Sequence, residues 1–434
     1  MCLRFFGPQV LLQDLSHLNT ARKVITLAHR DQASIFHVAE VFNGDKVLFR
    51  GISKCYDCLE ALPSCIQIIS REKGLSMSKL LILDIGAGTM DLLYYDTESG
   101  LHYKAVTKSP ALHLAERVKE LPGDLLIMGS EMGGGALSQV LIRRAQDSHV
   151  LMTTSSAATI HHDMGKVQSW GIAIIEDAEA ERLSRDPKYS VITVGDVNPE
   201  RLRHIVKGLG VPFSFDVIGI CAQDHGTPPE GMSHLDHRHT IFKASLDKNP
   251  FPHALLYECS EVPVTFNRLT SIAESVAMLP TEEVYVMDSG MAAILGATMD
   301  HGASLKEKVL IVDVATSHTV GAALVGGEIA GFFEYHTKDI SLQRLESLLV
   351  SLADGALEHT QILKEGGHGA YIREAFGFQA TEIIVATGPK RRLIENSRLP
   401  IHFGAPLGDN MMTGTVGVLE AIRRHKGLEP ITYL

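Results

Sequence analysis

A chain of 434 residues that is 45% apolar and 21% charged has room for two or three domains and the composition of an ordinary globular protein. Its formal net charge of −11 opposes non-specific binding to nucleic acid or to an anionic membrane surface. No apolar run reaches the ~18 residues that cross a bilayer, Met1–Ser16 lacks the apolar centre of a signal peptide, and six cysteines are too few for a disulfide scaffold, so a cytoplasmic location is expected.

Residues 1–76 offer a possible strand at Val47–Ile52 but no cap, repeat or motif that fits the rest of the chain. Cys55, Cys58 and Cys65 could hold zinc or exchange disulfides, although a zinc site would need a fourth ligand and no second Cys-x-x-Cys exists. Codons for Arg71-Glu72-Lys73-Gly74 can be purine-rich, as a ribosome-binding site is. Two expectations stand side by side: a small N-terminal domain, or an extension upstream of a true start at Met77.

From Lys79 the pattern is α/β. Leu80–Leu83 is an apolar run that ends in Asp84, and Leu92–Tyr95 is a second run after a turn containing Gly86, Gly88 and Thr89. Gly86 and Gly88 permit a sharp bend and close approach to a ligand, and the turn's N–H groups with the Thr89 hydroxyl suit a phosphate. Asp84 at the strand end could hold Mg²⁺ through water. A plain hairpin whose aspartate caps a turn is the alternative.

Tyr103–Val106 reads as a third strand, Ala111–Glu120 as a helix stopped by Pro122-Gly123, and Asp124–Met128 as a buried strand. The run containing Gly133, Gly134 and Gly135 precedes a helix over Leu137–Ala145, so it could bind an anion or be a flexible turn. Val150–Thr154 and Gly171–Glu176 look like strands, and Asp177–Lys188 like a solvated helix. Val217–Ile220 delivers Gln223, Asp224 and His225 at a strand end, a position that lines clefts in α/β folds. His234, Asp236, His237 and His239 fall in an expected polar loop that could bind metal. Glu283–Met287 leads into a small-residue helix, Met291–Met299, suited to close packing or simply buried. Val309–Val312, Asp313, the turn Ala315-Thr316-Ser317-His318 and Val320–Val325 repeat the logic of the opening hairpin, and Gly326-Gly327 turns into Glu328–Tyr335. Leu342–Leu352 is amphipathic. Glu382–Ala386 runs into Thr387-Gly388-Pro389, a loop suited to a nucleotide base and sugar, and Thr413–Arg424 closes the chain as a helix.

Two strand–aspartate–turn–strand units, two small-residue helices and a late Gly-Pro loop, in this order, resemble the actin/heat-shock-chaperone/sugar-kinase (ASKHA) superfamily. The resemblance covers about Lys79 to Leu434. Its two phosphate motifs look like Asp84–Asp91 and Asp313–Thr319, its connecting helices like Gly290–Met299 and Asp409–Glu420, and its adenosine motif like Val385–Arg391. It implies two ribonuclease H-like α/β domains facing a cleft, over residues 77–300, with an elaboration within Gly129–Met278, and residues 301–434. It further implies Mg²⁺ and ATP as cofactors, with slow hydrolysis or transfer to a small-molecule phosphate acceptor. Asp84 and Asp313 would act on the metal's water shell, Gly86, Gly88, Thr89, Thr316, Ser317 and His318 on the phosphates, and Gly388 and Pro389 on the adenosine. The second phosphate turn departs from the superfamily pattern because it contains no glycine.

More narrowly, DIGAGTMD, MGGG, QDHG, His318-Thr319, EYHT at Glu334–Thr337 and GGHGA at Gly366–Ala370 resemble a family labelled pyruvate formate-lyase activating enzyme. A radical-SAM activase needs a Cys-x3-Cys-x2-Cys run, which this sequence lacks. The resemblance therefore implies a nucleotide-dependent activator of a partner enzyme as an alternative, or a non-catalytic ligand-binding scaffold. Superfamily activators of dehydratases carry an iron–sulfur cluster, for which only Cys221 and Cys259 remain beyond the N-terminal region. His225, His318, His336 and His368 all sit in motif-like turns and are expected to converge on one cleft as a metal or substrate site.

Overall fold

The computed structural model describes residues 79–229 and 231–433, with strand segments between 2 and 48. The chain divides into two compact units, Met1–Ser76 and Met77–Leu434. In the first, β1 (Cys2–Leu3), β2 (Gln9–Asp14), β3 (Lys23–Ala28), β4 (Ile35–Phe42) and β5 (Lys46–Leu48) pair in sequence order as an antiparallel meander. The rest of the expected Val47–Ile52 strand, with Cys55, Cys58 and Cys65, lies outside the described residues.

The second unit opens with β6 (Lys79–Ile85), β7 (Thr89–Asp96) and β8 (His102–Lys108), an antiparallel meander whose first two strands are apolar almost throughout. Such a run, without alternation, marks strands covered on both faces. Helix α1 (Pro110–Glu120) starts where the Ser109 hydroxyl accepts from Leu112 N and proline fits the first turn, and it buries Ala111, Leu114, Ala115 and Val118. Next come β9 (Asp124–Gly129), α2 (Gly135–Arg144), β10 (Val150–Thr153), β11 (Ile172–Ile175) and β12 (Tyr189–Val194). These four strands form a separate parallel sheet in the order β11-β10-β9-β12. This sheet stands in the chain between β8 and Phe215–Ala222, strands of one large sheet, and its first strand begins at Asp124. The helix expected over Asp177–Lys188 stops at Leu183, ahead of Pro187.

Helix α3 (Pro199–Gly208) returns the chain to β13 (Phe215–Ala222). The expected polar loop of His234, Asp236, His237 and His239 is instead helix α4 (His234–Leu246). Ser233 caps it by accepting from Asp236 N, and His237, Arg238, Phe242 and Leu246 make its buried face, so the histidines ride on a helical framework. Then follow β14 (Leu256–Glu258), α5 (Asn267–Ala277), β15 (Thr281–Asp288) and α6 (Ser289–Thr298). The last part contains β16 (Lys308–Val314), β17 (His318–Val325), β18 (Glu328–His336), α7 (Leu342–Ala353), α8 (His359–Lys364), β19 (Gly369–Ile372), β20 (Ile383–Thr387), β21 (Ile401–Phe403) and α9 (Thr413–Lys426).

The two large sheets have orders β14-β15-β13-β6-β7-β8 and β19-β18-β17-β16-β20-β21. In each, a three-strand antiparallel meander is followed by strands added parallel to its first member, β13 to β6 and β20 to β16. This is one ribonuclease H-like topology used twice, with β14 or β19 added antiparallel at one edge. The fold is thus α/β, of the actin-like ATPase kind.

Helices α6 and α9 cross so closely that a Cβ on Gly296 would lie 1.8 Å from Thr413 O, and one on Gly417 1.8 Å from Ala292 O. The small residues expected to allow close packing do so by bringing backbone onto backbone. One hydrophobic core takes in both helices, β6, β13 and one face of β16, including Val309 and Ile311. The alternate residues Leu310, Val312 and Val314 face α7 in a second core. Each fully buried aliphatic side chain here contributes about 1.5–3 kcal/mol relative to exposure.

Candidate functional site

The two meanders end their first strands in equivalent turns. After Asp84, Gly86 N donates to Thr89 O at 2.9 Å; after Asp313, Ala315 N donates to His318 O at 3.0 Å. Beside the first turn, Ser109 N donates to Gly88 O and its hydroxyl to Ala87 O; beside the second, Thr337 N donates to Ser317 O and its hydroxyl to Ala315 O. The absence of glycine from the second turn is therefore no obstacle to its shape, because Thr337 braces it. His318 occupies the place that Thr89 holds in the first turn. The turns meet: a Cβ on Gly88 would stand 3.0 Å from Thr316 Oγ1.

Between them lies a cleft of about 590 Å³, the size of a small-ligand site. Asp84, Gly86, Thr89, Gly133, Gly134, Gly135, Gln223, Asp224, His225, Asp313, Thr316, Ser317, His318, Gly388 and Pro389 all line it. Gly88, His336 and His368 do not. Gly88 sits where the turns touch, and the two histidines lie behind His318.

Three carboxyl groups dominate the electrostatics. Asp84 faces Asp91 directly across β6 and β7. Burial pushes the Asp84 carboxyl up to about 7, with Asp313 adding to the rise and a hydrogen bond with the Cys221 thiol opposing it. Burial, then Asp84, pushes Asp91 up to about 8, and burial pushes Asp313 up to about 6 against the Thr387 hydroxyl, which donates at 2.8 Å. Asp91 Oδ1 is buried without a hydrogen-bond partner, while Oδ2 accepts from the Thr89 hydroxyl at 3.4 Å. The cation that eases Asp84 is Arg268, itself paired with Asp196 at 2.8 Å. Asp91 has an apolar counterpart in the second meander, Val320, paired with Asp313, so the extra acid belongs to the first meander alone.

Backbone approaches these acids closely. A Cβ on Gly414, in the first turn of α9, would sit 2.0 Å from Asp84 Oδ2. Gly388, at φ +89°, leaves room for Asp313: a Cβ there would stand 2.9 Å from its Oδ1 and 2.5 Å from Val314 O. Asn410 Nδ2 donates to Gly388 O at 3.1 Å.

The glycine run is a packed turn. Gly133 N donates to Asp196 Oδ2 at 3.2 Å, and a Cβ on Gly133 would meet the Arg268 guanidinium at 2.6 Å. That N–H is committed within the protein and is not free for an anion. Asp224 accepts from Gly226 N and Leu269 N, so its carboxylate serves the backbone; Gln223 donates to Glu334 at 2.5 Å. His225 lines the cleft with Nδ1 buried and unpartnered, and burial lowers its pKa to about 3. Cys221 and Cys259 are free thiols, and neither belongs to a metal-ligating cluster among the described residues.

Asp91, Asn410 and Gly414, which fall within the expected motif spans Asp84–Asp91 and Asp409–Glu420 without a role of their own, also line the cleft, as do Arg268 and the pair Glu131–His162 (2.9 Å), which escaped sequence reasoning. An aspartate inside the apolar run of β7 was the available signal for Asp91. Arg268 could have followed from the spacing of Leu269, Ile272, Ala273 and Val276, which marks α5. Nothing in the sequence announces Glu131 and His162.

The profile of a family described as "Putative pyruvate format-lyase activating enzyme (DUF1786)" matches residues 132–393. The chain belongs to this family. The matched stretch includes the turn after Asp313 and the histidines from His162 to His368, while the turn after Asp84 and α9 lie outside it. Among curated proteins none matches. Three solved structures illustrate the fold. A Bacteroides thetaiotaomicron protein with an actin-like ATPase fold is 10% identical, over 74% of this chain and 87% of its own, with a TM-score of 0.28. The ethanolamine utilization protein EutJ from Carboxydothermus hydrogenoformans is 10% identical, over 84% and 98%, with a TM-score of 0.30. MreB5 of Spiroplasma citri, bound to ADP, is 11% identical, over 81% and 98%, with a TM-score of 0.29. The fold itself is defined by the strand order of the two large sheets.

Proposed function

We propose that the cleft binds a Mg²⁺–nucleoside triphosphate and acts as a slow ATPase or as a phosphotransferase to a small-molecule acceptor. The observation that carries this reading is the convergence of Asp84, Asp91 and Asp313 on one cleft with raised pKa values and an unpartnered Asp91 Oδ1. Acids whose pKa values are raised by desolvation and by one another are groups that a divalent cation would ionise. Asp84 and Asp313, at facing strand ends, would hold the ion and its water shell, with Asp91 reinforcing Asp84. Thr89 and Ser317 would orient phosphate oxygens, and the Gly388-Pro389 loop the nucleoside. Bound Mg²⁺–phosphate supplies the charge neutralisation on which phosphoryl transfer chiefly depends. Asp313, held by Thr387, would orient an attacking oxygen.

Thermal unfolding with Mg²⁺ and ATP together, against each alone, tests the reading. A ligand at about 100 times its dissociation constant stabilises by about 2.7 kcal/mol. The shift is expected only with both present and is lost in Asp84→Asn; equal shifts in that variant would overturn the assignment.

Activation of a partner enzyme by nucleotide-driven closure is the second reading. The family's description supports it, as does Arg238, which joins Asp288 of the first sheet to Glu334 of the second.

A further inference from the structure

We propose that His318, His336 and His368 form a three-histidine site for a divalent transition-metal ion of the zinc class, bordering the phosphate cleft but distinct from its carboxylates. His318 begins β17 and His336 ends β18, and the two are direct cross-strand partners, which places both side chains on one face of the sheet. His368 N donates to Glu334 O at 2.8 Å, which brings the third ring alongside. Ring centroids are 4.6 Å (His318–His336), 4.8 Å (His318–His368) and 4.4 Å (His336–His368) apart, and one nitrogen from each ring lies within 4.8 Å of the others. Ligand nitrogens about 2.0–2.1 Å from a tetrahedral ion stand roughly 3.4 Å apart, so a small contraction completes the site.

The chemistry of the rings points the same way. His318 Nε2 is buried without a partner. All three rings are half-buried, and imidazole ligates metal in its neutral form. Neutral rings beside the Glu334 carboxylate are a poor anion site. Glu334 Oε1 stands 3.5 Å from His368 Nδ1, which is itself buried without a hydrogen-bond partner, and Glu334 is fixed by Arg238 and Gln223, each at 2.5 Å. A carboxylate behind a ligating histidine is the usual outer partner of a metal site, and it leaves the other ring nitrogen for the ion. Three imidazoles without an oxygen ligand select zinc, nickel or cobalt over magnesium or calcium, and leave a fourth position open. Because His318 also lines the cleft, the ion would border the phosphate turns. His225, with centroids 5.8 and 5.9 Å from His318 and His368, stands one step outside.

The full-length protein, stripped with chelator, is titrated with Zn²⁺ alone and with Co²⁺ as a visible-absorbing probe. The expected result is one ion per chain, with tetrahedral Co²⁺ bands that Zn²⁺ abolishes. His336→Ala and His368→Ala should each weaken Zn²⁺ binding by more than about 100-fold, beyond the 10–100-fold typical of losing an outer partner. Asp84→Asn should keep the Co²⁺ bands, which separates this site from the nucleotide reading. X-ray absorption on the unaltered zinc-loaded protein gives the ligand count even where a variant misfolds. No bound ion in the unaltered protein, fewer than three nitrogen ligands of histidine type, or unchanged affinity in a folded His336→Ala/His368→Ala double variant would overturn the site.

Discussion

At the scale of single residues, the three acids of the cleft make pH the most direct probe. Each carboxyl has a folded-state pKa above its ordinary 3.8: about 7 for Asp84, about 8 for Asp91 and about 6 for Asp313. These three groups therefore bind more protons in the folded protein than in the unfolded chain across this interval, and their contribution to stability falls as pH rises through it. The contribution is complete below about pH 4 and lost by about pH 8. Buried histidines with lowered pKa values, His225 at about 3 and His318 at about 4 among them, work in the opposite direction below their ordinary 6.5, so the decline in melting temperature of metal-free protein is expected from pH 7 to 8. Asp84→Asn, which removes one titrating group and relieves Asp91, should flatten that decline; an unchanged slope would place the titration elsewhere. Gly414 offers a second probe, because a methyl group there must displace the Asp84 carboxylate, whose Oδ2 and Cγ lie 2.0 and 2.6 Å from its position. Gly414→Ala is expected to abolish the Mg²⁺–ATP shift as completely as Asp84→Asn does, measured by the same melts.

At the scale of elements, α6 and α9 form the crossing on which the cleft floor rests. Gly296→Ala or Gly417→Ala would drive a methyl group onto backbone atoms at 1.8 Å, which neither helix can avoid without moving. Overpacking of this kind costs about 1–3 kcal/mol or more, and displacement of Thr413-Gly414 should weaken the nucleotide response. Gly208, with nothing within 4 Å of its would-be Cβ, is the contrast; Gly208→Ala should stabilise by about 0.4–1 kcal/mol in denaturant titrations. The α6–α9 pair was legible in the sequence as two runs of small residues, and the two meanders as apolar runs ending in aspartate, because both signals are local. Helix α4 was not. His234-Leu235-Asp236-His237-Arg238-His239 reads as polar, and its buried face includes an arginine and a histidine whose burial depends on partners distant in sequence. Helices α3 and α5 were overlooked although Asn198-Pro199 and the Leu269–Val276 spacing were available to mark them. Asp84 and Asp313 could be listed from strand ends, whereas Asp91 lies inside β7 and its place in the cleft emerges only from the strand register.

At the scale of the whole molecule, the unit Met77–Leu434 contains every hydrophobic core described, each built from residues between 80 and 433. A chain beginning at Met77 is expected to keep the melting temperature and the Mg²⁺–ATP response of the full chain; insolubility or a large drop in melting temperature would refute that. Within the unit, Arg238 of α4 links the two large sheets. Its Nη2 donates to Asp288 Oδ2 at 2.7 Å, at the end of β15, and its Nη1 to Glu334 Oε2 at 2.5 Å on β18. Arg238 is only 6% exposed and both acids 5% or less, so water screens the three charges little. Burial alone works against the guanidinium's charge, but the two carboxylates more than offset it, and Arg238 holds Glu334 well below the ordinary carboxylate range. Arg238→Met keeps the stem that packs near Phe242 but strands two buried carboxylates, and breaking a buried pair in this way costs about 3–5 kcal/mol. Part of the loss should return in Arg238→Met/Glu334→Gln, where one stranded charge is removed. Equilibrium unfolding of the two variants measures both effects. Equal stability of Arg238→Met and the unaltered protein would show that the sheets are held by their apolar core alone, and that the second reading, closure around this tie, has no anchor in Arg238.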